Sequence, residues 1–154
     1  QNIWDRYRNV IGIFIRKTLN GIPILVYGDG EQTRAFSDIQ YYMEPFDLLH
    51  DNFDGEIFNI GADKFFTLNQ VAETVQSIGK KYGYDVPIEH AEGRHEVKHA
   101  YCNHDKAKTM LGFRDNTKLE ELIEDMFVWA MNQPNRKVKD FEYEITDGIY
   151  DYWK

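Results

Sequence analysis

Between Asn9 and Gly30 the chain writes a helix and a strand back to back, each with its own stop signal. Val10, Ile11, Phe14, Ile15 and Leu19 recur at helical spacing, and Asn20-Gly21 supplies a left-handed stop. Pro23 then introduces Ile24, Leu25, Val26 and Tyr27, a short β-branched and aromatic run that ends in the turn Gly28-Asp29-Gly30. A helix feeding a strand through a tight turn restricts the fold to classes that mix the two.

The remaining pattern continues that alternation. Ile39 to Asp51 reads as a helix, with Pro45 tolerated near its first turn or at a kink. Glu56 to Gly61 is a compact apolar run suited to a buried strand. Thr67 and Gln70 form a capping box ahead of the stripe Leu68, Val71, Ala72, Val75 and Ile78, which Gly79 or Gly83 can close. Val86 to His90 reads as a further strand, and a polar segment follows from Ala91 to His104. Asp105 is expected to cap a short helix through Leu111, ended by Gly112. Thr117 with Glu120 reads as a second capping box, for a helix that carries Leu119, Leu122, Ile123, Met126, Phe127 and Ala130 on one face and stops before Pro134. The order indicates an α/β or α+β architecture.

Composition bounds the function classes. At 154 residues the chain is the size of one domain, and 42% hydrophobic with 15% aromatic residues it can fill a core. A formal net charge of -8 argues against a broad nucleic-acid or anionic-membrane surface, which needs a basic face. Cys102 alone makes no internal disulfide, and no stretch of about 18 apolar residues is present to span a bilayer, so a cytoplasmic location is expected. Gln1 follows no leader and is not an obvious natural start, which points to a piece of a longer chain. Residues 1–134 are expected to form the domain and 135–154 an acidic aromatic tail, with Phe141, Tyr143, Tyr150, Tyr152 and Trp153 docking on it.

Two loops carry the polar groups worth weighing. In Gly28 to Arg34 the arginine projects from an ordered base and can make a bidentate phosphate contact; Arg94, after Gly93, can close on the same anion from the second loop. The alternative is that both are surface arginines paired with Asp29, Glu31, Glu92 or Glu96. His90, His95, His99, Cys102 and His104 crowd one polar segment and offer zinc-compatible donors, but their spacing lacks the two close pairs of a structural zinc knuckle, so solvated or partly buried histidines are expected and no metal.

Four runs give the sequence a family likeness. Arg8 to Arg16 (Arg-Asn-Val-Ile-Gly-Ile-Phe-Ile-Arg), Val26 to Ser37 (Val-Tyr-Gly-Asp-Gly-Glu-Gln-Thr-Arg-Ala-Phe-Ser), Ile57 to Gly61 (Ile-Phe-Asn-Ile-Gly) and Ala107 to Phe113 (Ala-Lys-Thr-Met-Leu-Gly-Phe) occur in order at fitting separations. Together, over about Arg6 to Ala130, they resemble the extended short-chain dehydrogenase/reductase family, particularly its UDP-sugar 4-epimerases. The resemblance implies an amino-terminal Rossmann domain that holds NAD and a smaller carboxy-terminal, substrate-binding portion, to which this chain corresponds. It further implies that Asn9 and Val10 start the helix that meets the substrate diphosphate and that Tyr27 lies beside the uracil. By the same likeness Arg34 and Arg94 take the diphosphate, and Glu96 stands in for an aspartate that accepts a ribose hydroxyl. After Phe-Ser, where relatives continue with a tyrosine and an acidic pair, this sequence has Asp38, Ile39, Gln40 and Tyr41.

Within the chain there is no Gly-x-x-Gly-x-x-Gly turn after a strand, and the one Tyr-x-x-x-Lys pair is Tyr150 with Lys154 at the chain end. No cofactor site and no catalysis are therefore expected of this chain alone. The implied parent would use NAD to oxidise and re-reduce C4 of a UDP-hexose, with nucleotide-sugar 4,6-dehydration or UDP-glucuronate decarboxylation as alternatives and a homodimer formed through the other domain. From another class, a protein-interaction or zinc-binding module is the competing reading.

Overall fold

The computed structural model of the chain describes residues 2–5, 7–134, 136 and 147. The expected aromatic tail docking falls outside the described residues. Helix α1 (Val10–Leu19) buries Ile11, Phe14, Ile15 and Thr18 and ends at Gly21, whose φ of 67° is the left-handed stop read from the sequence. The Thr18 hydroxyl donates to the Phe14 carbonyl at 2.9 Å, so a polar group enters the core satisfied. Strand β1 (Ile24–Tyr27) turns Ile24 and Val26 into the core and leaves Leu25 and Tyr27 half-buried on its other face.

After the Gly28–Gly30 turn comes β2 (Thr33–Ala35), a single 3₁₀ segment (Ile39–Tyr42) capped by the Asp38 carboxylate, and α2 (Met43–Asp51). Pro45 sits in the first turn of α2, where a missing N–H costs no ladder bond. Strand β3 (Phe65–Thr67) leads into α3 (Leu68–Lys81), where the Thr67–Gln70 capping box is complete in both directions. Its stripe Leu68, Val71, Ala72, Val75 and Ile78 is buried as the periodicity predicts. Then follow β4 (Ile88–Ala91), β5 (His99–Ala100), α4 (Asp105–Leu111) and α5 (Leu119–Met131).

Strands β1 and β4 pair in parallel, Ile24 with Ile88 through Tyr27 with Ala91. A second sheet has the order β3-β2-β5, with β2 antiparallel to β3 and parallel to β5. The fold is α/β. Helices α1, α3 and α5 pack together over β1, and their side chains form the main core with Phe127, Ile15 and Val75 fully buried. Lys81 and Tyr82 both reach Glu124, tying the end of α3 to α5. Among the described residues no helix is long and apolar enough to cross a membrane.

Three expectations need correction. The run Glu56 to Gly61 is not a strand. Phe58 and Ile60 turn inward onto a second small core of Ala107, Leu111 and Phe113, while Ile57 stays 82% exposed. Side chains serve its carbonyls: Lys106 donates to Ile57 at 2.9 Å and the Tyr42 hydroxyl to Ile60 at 3.3 Å. The strand forms instead at β3, where β2 offers a ladder. Thr117 does not cap α5; its hydroxyl donates to Asp115 at 2.6 Å and accepts from the Asp38 amide at 2.9 Å, leaving extended Lys118 at the N-cap. The strand expected from Val86 begins at Ile88, because Pro87 has no N–H and gives only its carbonyl, to Ile24 at 2.9 Å. At α4 a smaller shift occurs: His104 is the N-cap and Asp105 the first helical residue.

Asp63 fastens the second core to α4. It accepts from the buried His104 ring at 2.7 Å and from Lys108, and its own amide donates to Asp115 at 3.0 Å. The Lys108 and His104 donors hold the Asp63 carboxyl below its ordinary value of 3.8. A carboxyl acidified by folding stabilises the fold above its unfolded-state pKa, and that contribution disappears as pH falls through the lower folded value. Asp63→Asn is therefore expected to melt below wild type at pH 7, with the two melting curves converging at pH below about 3. A gap of the same size at both pH values would contradict this account.

Candidate functional site

The six residues singled out by the sequence, Asn9, Val10, Tyr27, Arg34, Arg94 and Glu96, line one cleft of about 620 Å³. They come from four places: the start of α1, the end of β1, the middle of β2 and the loop between β4 and β5. Chain geometry explains the meeting. Parallel pairing of β1 with β4 sets Tyr27 opposite Ala91, and Gly28 donates to Ala91 at 2.9 Å, so the loop that carries Arg94 and Glu96 leaves the sheet beside Tyr27. On the other side Thr33 takes the Lys98 carbonyl at 2.8 Å, which returns that loop to β2 next to Arg34.

Asn9 sits at the N-cap of α1 with φ 69° and ψ 76°, a left-handed conformation that asparagine tolerates better than other non-glycine residues. Its side chain makes no capping bond, and Asn9 is among the residues that line the cleft. The positive end of the α1 dipole faces the same space and favours an anion there.

Arg34 is paired. Its guanidinium meets Glu96 Oε2 at 3.0 Å and donates to the carbonyls of Thr33 at 2.8 Å and Lys98 at 3.3 Å. Of the acidic partners open to it in the sequence, Glu96 is the one used, and the pair lines the cleft rather than the outer surface. Arg94 lies with its guanidinium carbon 3.2 Å from the centre of the Tyr27 ring, a stacked cation–π contact. The flat face of Tyr27 is thus a platform that already accepts a planar cationic group.

Three further residues of the site are not among those singled out from the sequence. Gln32 is buried, and its amide donates to the Tyr27 carbonyl at 2.9 Å and to Glu96 Oε1 at 3.0 Å, clamping the strand end to the carboxylate. Arg16 and Lys17 line the cleft from the last turn of α1. Lys17 carries a signal that could have found it: it shares a face with Val10, Ile13 and Phe14, a cation inside an apolar stripe. Burial holds the Lys17 pKa below the ordinary lysine value, with the charges of Arg16 and Arg94 acting the same way and Glu89 opposing them. Arg16, Lys17, Arg34 and Arg94 against Glu96 give the cleft an excess of positive charge in a chain whose net charge is -8. Such a pocket suits a ligand with an anionic centre and a flat end.

The histidine-rich segment disperses. His99 faces the Thr33 hydroxyl at 2.8 Å, His90 the Asn69 amide at 3.0 Å, and His104 the Asp63 carboxylate. Cys102 is exposed, and among the described residues no three such donors converge as a metal site. Nor does the Gly28-Asp29-Gly30 turn suit a dinucleotide pyrophosphate. It opens onto β2 rather than a helix, and the space beside Gly30 is filled by the Asn69 side chain.

The chain is similar to known proteins over most of its length. Residues 4–61 match the NAD dependent epimerase/dehydratase family. UDP-N-acetyl-alpha-D-glucosaminuronate decarboxylase of Bacillus cytotoxicus is 30% identical over 128 residues, a match that covers 80% of this chain and 40% of the relative. GDP-mannose 3,5-epimerase of Arabidopsis thaliana is 32% identical over 108 residues, covering 70% and 28%. The crystal structure of UDP-glucose 4-epimerase from Thermotoga maritima with UDP-glucose superposes with a TM-score of 0.72 at 28% identity, covering 82% of this chain and 41% of that one. UDP-N-acetylglucosamine 4-epimerase from Methanobrevibacter ruminantium, in complex with UDP-N-acetylmuramic acid, gives 0.72 at 25%, covering 84% and 41%. The chain spans less than half the length of these relatives. With fold and sequence in agreement, the chain belongs to the NAD dependent epimerase/dehydratase family, of the extended short-chain dehydrogenase/reductase type.

Proposed function

We propose that this chain grips the nucleotide-diphosphate half of a nucleotide sugar, within a longer NAD-dependent enzyme that epimerises C4 of a UDP-hexose. The observation that carries the reading is the convergence of Asn9, Val10, Tyr27, Arg34, Arg94 and Glu96 on one positively charged cleft. In this reading residues 1–134 are the gripping unit, and NAD is held by the rest of the parent, which also forms the dimer; the enzyme works in the cytoplasm. The helix start at Asn9 and Val10 receives the diphosphate with Arg34, while Tyr27 stacks on the base. Arg94 leaves the Tyr27 ring to take a phosphate oxygen, and Glu96 accepts a ribose hydroxyl. Each contact now made inside the chain, Arg34 with Glu96 and Arg94 with Tyr27, holds these groups near their working positions before the ligand arrives. Binding energy from the nucleotide then fixes the sugar beside the nicotinamide. A nucleotide-sugar decarboxylase parent is the second reading, supported by the Bacillus cytotoxicus relative.

Calorimetric titration of UDP into the full-length protein tests the site. Arg34→Ala and Arg94→Ala are each expected to weaken binding by about 1–3 kcal/mol, the worth of a charge-assisted hydrogen bond. Arg34→Ala should have the larger effect, because it also leaves Glu96 as an uncompensated carboxylate facing the phosphates. Unchanged affinity in both variants would remove the assignment.

A further inference from the structure

Glu96 is held by two donors, one on each oxygen. Arg34 takes Oε2 at 3.0 Å, and the Gln32 amide donates to Oε1 at 3.0 Å. The amide cannot serve the other way round: turned over, its oxygen would face the Tyr27 carbonyl and the Glu96 carboxylate, acceptor against acceptor. Nor can it drift. Gln32 is buried, its own carbonyl accepts from the Leu68 amide at the start of α3 at 3.1 Å, and its Nε2 is also tied to the Tyr27 carbonyl at 2.9 Å. The consequence for Arg34 is an ion pair made at a single point. A carboxylate with both oxygens open takes an arginine as a two-point fork, the stronger arrangement, but only one oxygen of Glu96 is open. Arg34 spends its other bonds on the Thr33 and Lys98 carbonyls, and among the described residues no further acceptor is paired with it.

We propose that Gln32 is a positioning residue that keeps Arg34 available to an anionic ligand: by holding Oε1 of Glu96 it stops the carboxylate from closing on the guanidinium as a fork. This rests on Arg34 meeting the substrate diphosphate, as proposed above. Without the amide, Glu96 turns both oxygens to Arg34, and a phosphate must then displace two charge-assisted bonds instead of one. The Arg34 and Glu96 side chains are only 23% and 34% exposed, so salt and solvent do little to loosen such a fork. Gln32 touches no ligand in this account and acts through Glu96. Its effect is the reverse of an ordinary clamp, since its loss strengthens a contact within the protein and thereby weakens binding.

The test is a double-mutant cycle on UDP affinity, measured by calorimetry on the full-length protein. Gln32→Met is expected to weaken UDP by about tenfold. Glu96→Ala removes the carboxylate that would form the fork, so the double variant Gln32→Met with Glu96→Ala should bind UDP within about threefold of Glu96→Ala alone. A purely structural role for Gln32 would weaken UDP to the same degree in both backgrounds; that result, or full UDP affinity in Gln32→Met, overturns the proposal. Gln32→Asn, whose arm is a methylene too short to reach both acceptors, serves the same comparison where Gln32→Met does not fold. If Arg34→Ala weakens UDP while the Gln32 variants act alike in both backgrounds, the nucleotide site stands without this role. If neither Arg34→Ala nor Arg94→Ala alters UDP binding, both assignments fall together.

Discussion

Truncating Phe127 to alanine is expected to lower the unfolding free energy of this chain by about 3–5 kcal/mol, the range for removing a fully buried aromatic ring. Phe127 is 0% exposed on the inner face of α5. Its ring stacks on Tyr82 at 5.9 Å between centroids and meets Tyr84 edge-on at the same distance. The site cannot collapse around the void. Gly79 of α3, which faces the ring tip, is already so close to α1 that an added Cβ would lie 2.7 Å from Thr18 Cγ2 and 3.0 Å from the Tyr84 carbonyl. Helix α3 is therefore held at a fixed distance on its other side, and the cavity term adds to the lost transfer free energy. Urea denaturation reads the result directly, and the midpoint of thermal unfolding should drop by about 10–15 °C for a chain of this size. A loss under about 1 kcal/mol would mean that α5 repacks and that the three-helix core is looser than described. Function follows stability here, because α1, which carries Asn9, Val10 and Lys17 to the cleft, rests on α3 and α5.

The elements legible in the sequence are those whose signal is local. Helices α1, α3 and α5 announce themselves by a stripe repeated over two or more turns, and Thr67, Gln70 and Gly21 mark their ends by chemistry confined to a few neighbours. Strands β2, β3 and β5 are two or three residues long, too short for an alternation, and exist because Arg34 finds Phe66 and Ala100 from distant parts of the chain. The run at Ile57 and Phe58 shows the converse: strand-like composition with no ladder among the described residues. Thr117 and Glu120 fit a capping box in spacing, yet Asp115 and Asp38 outcompete the helix for the hydroxyl. In the cleft, Tyr27, Arg34 and Arg94 were readable through motifs flanked by glycine. Gln32 was not, since its role is to join Tyr27 to Glu96 across a long stretch of chain, a contact that only the paired strands create. The partnership of Arg34 with Glu96 was one of several open pairings until the loop was placed.

Gly30→Val is expected to destabilise the chain by about 3 kcal/mol and, in the full-length protein, to weaken UDP binding by more than about tenfold. Two independent penalties meet at this residue. Gly30 has a φ of 74°, where a β-branched side chain crowds its own carbonyl, at roughly 1–2 kcal/mol. A Cβ there would also fall 2.0 Å from Asn69 Oδ1 and force that amide away. The displaced amide would lose its bonds to the Asp29 carbonyl at 2.9 Å and to Glu31 at 2.8 Å, and its contact with His90 at 3.0 Å, each worth about 1 kcal/mol or less at this partly exposed site. Asn69→Ala separates the two: it removes the bonds but keeps the backbone, and should cost only about 1 kcal/mol with little change in UDP affinity. The functional loss in Gly30→Val comes from geometry. The turn of Gly28 to Gly30 sets how Tyr27 at the end of β1 faces Arg34 on β2, and Gln32 clamps that spacing from one side only. If Gly30→Val and Asn69→Ala prove equal in urea denaturation and in UDP titration, the backbone of the turn is not what holds Tyr27 and Arg34 in register.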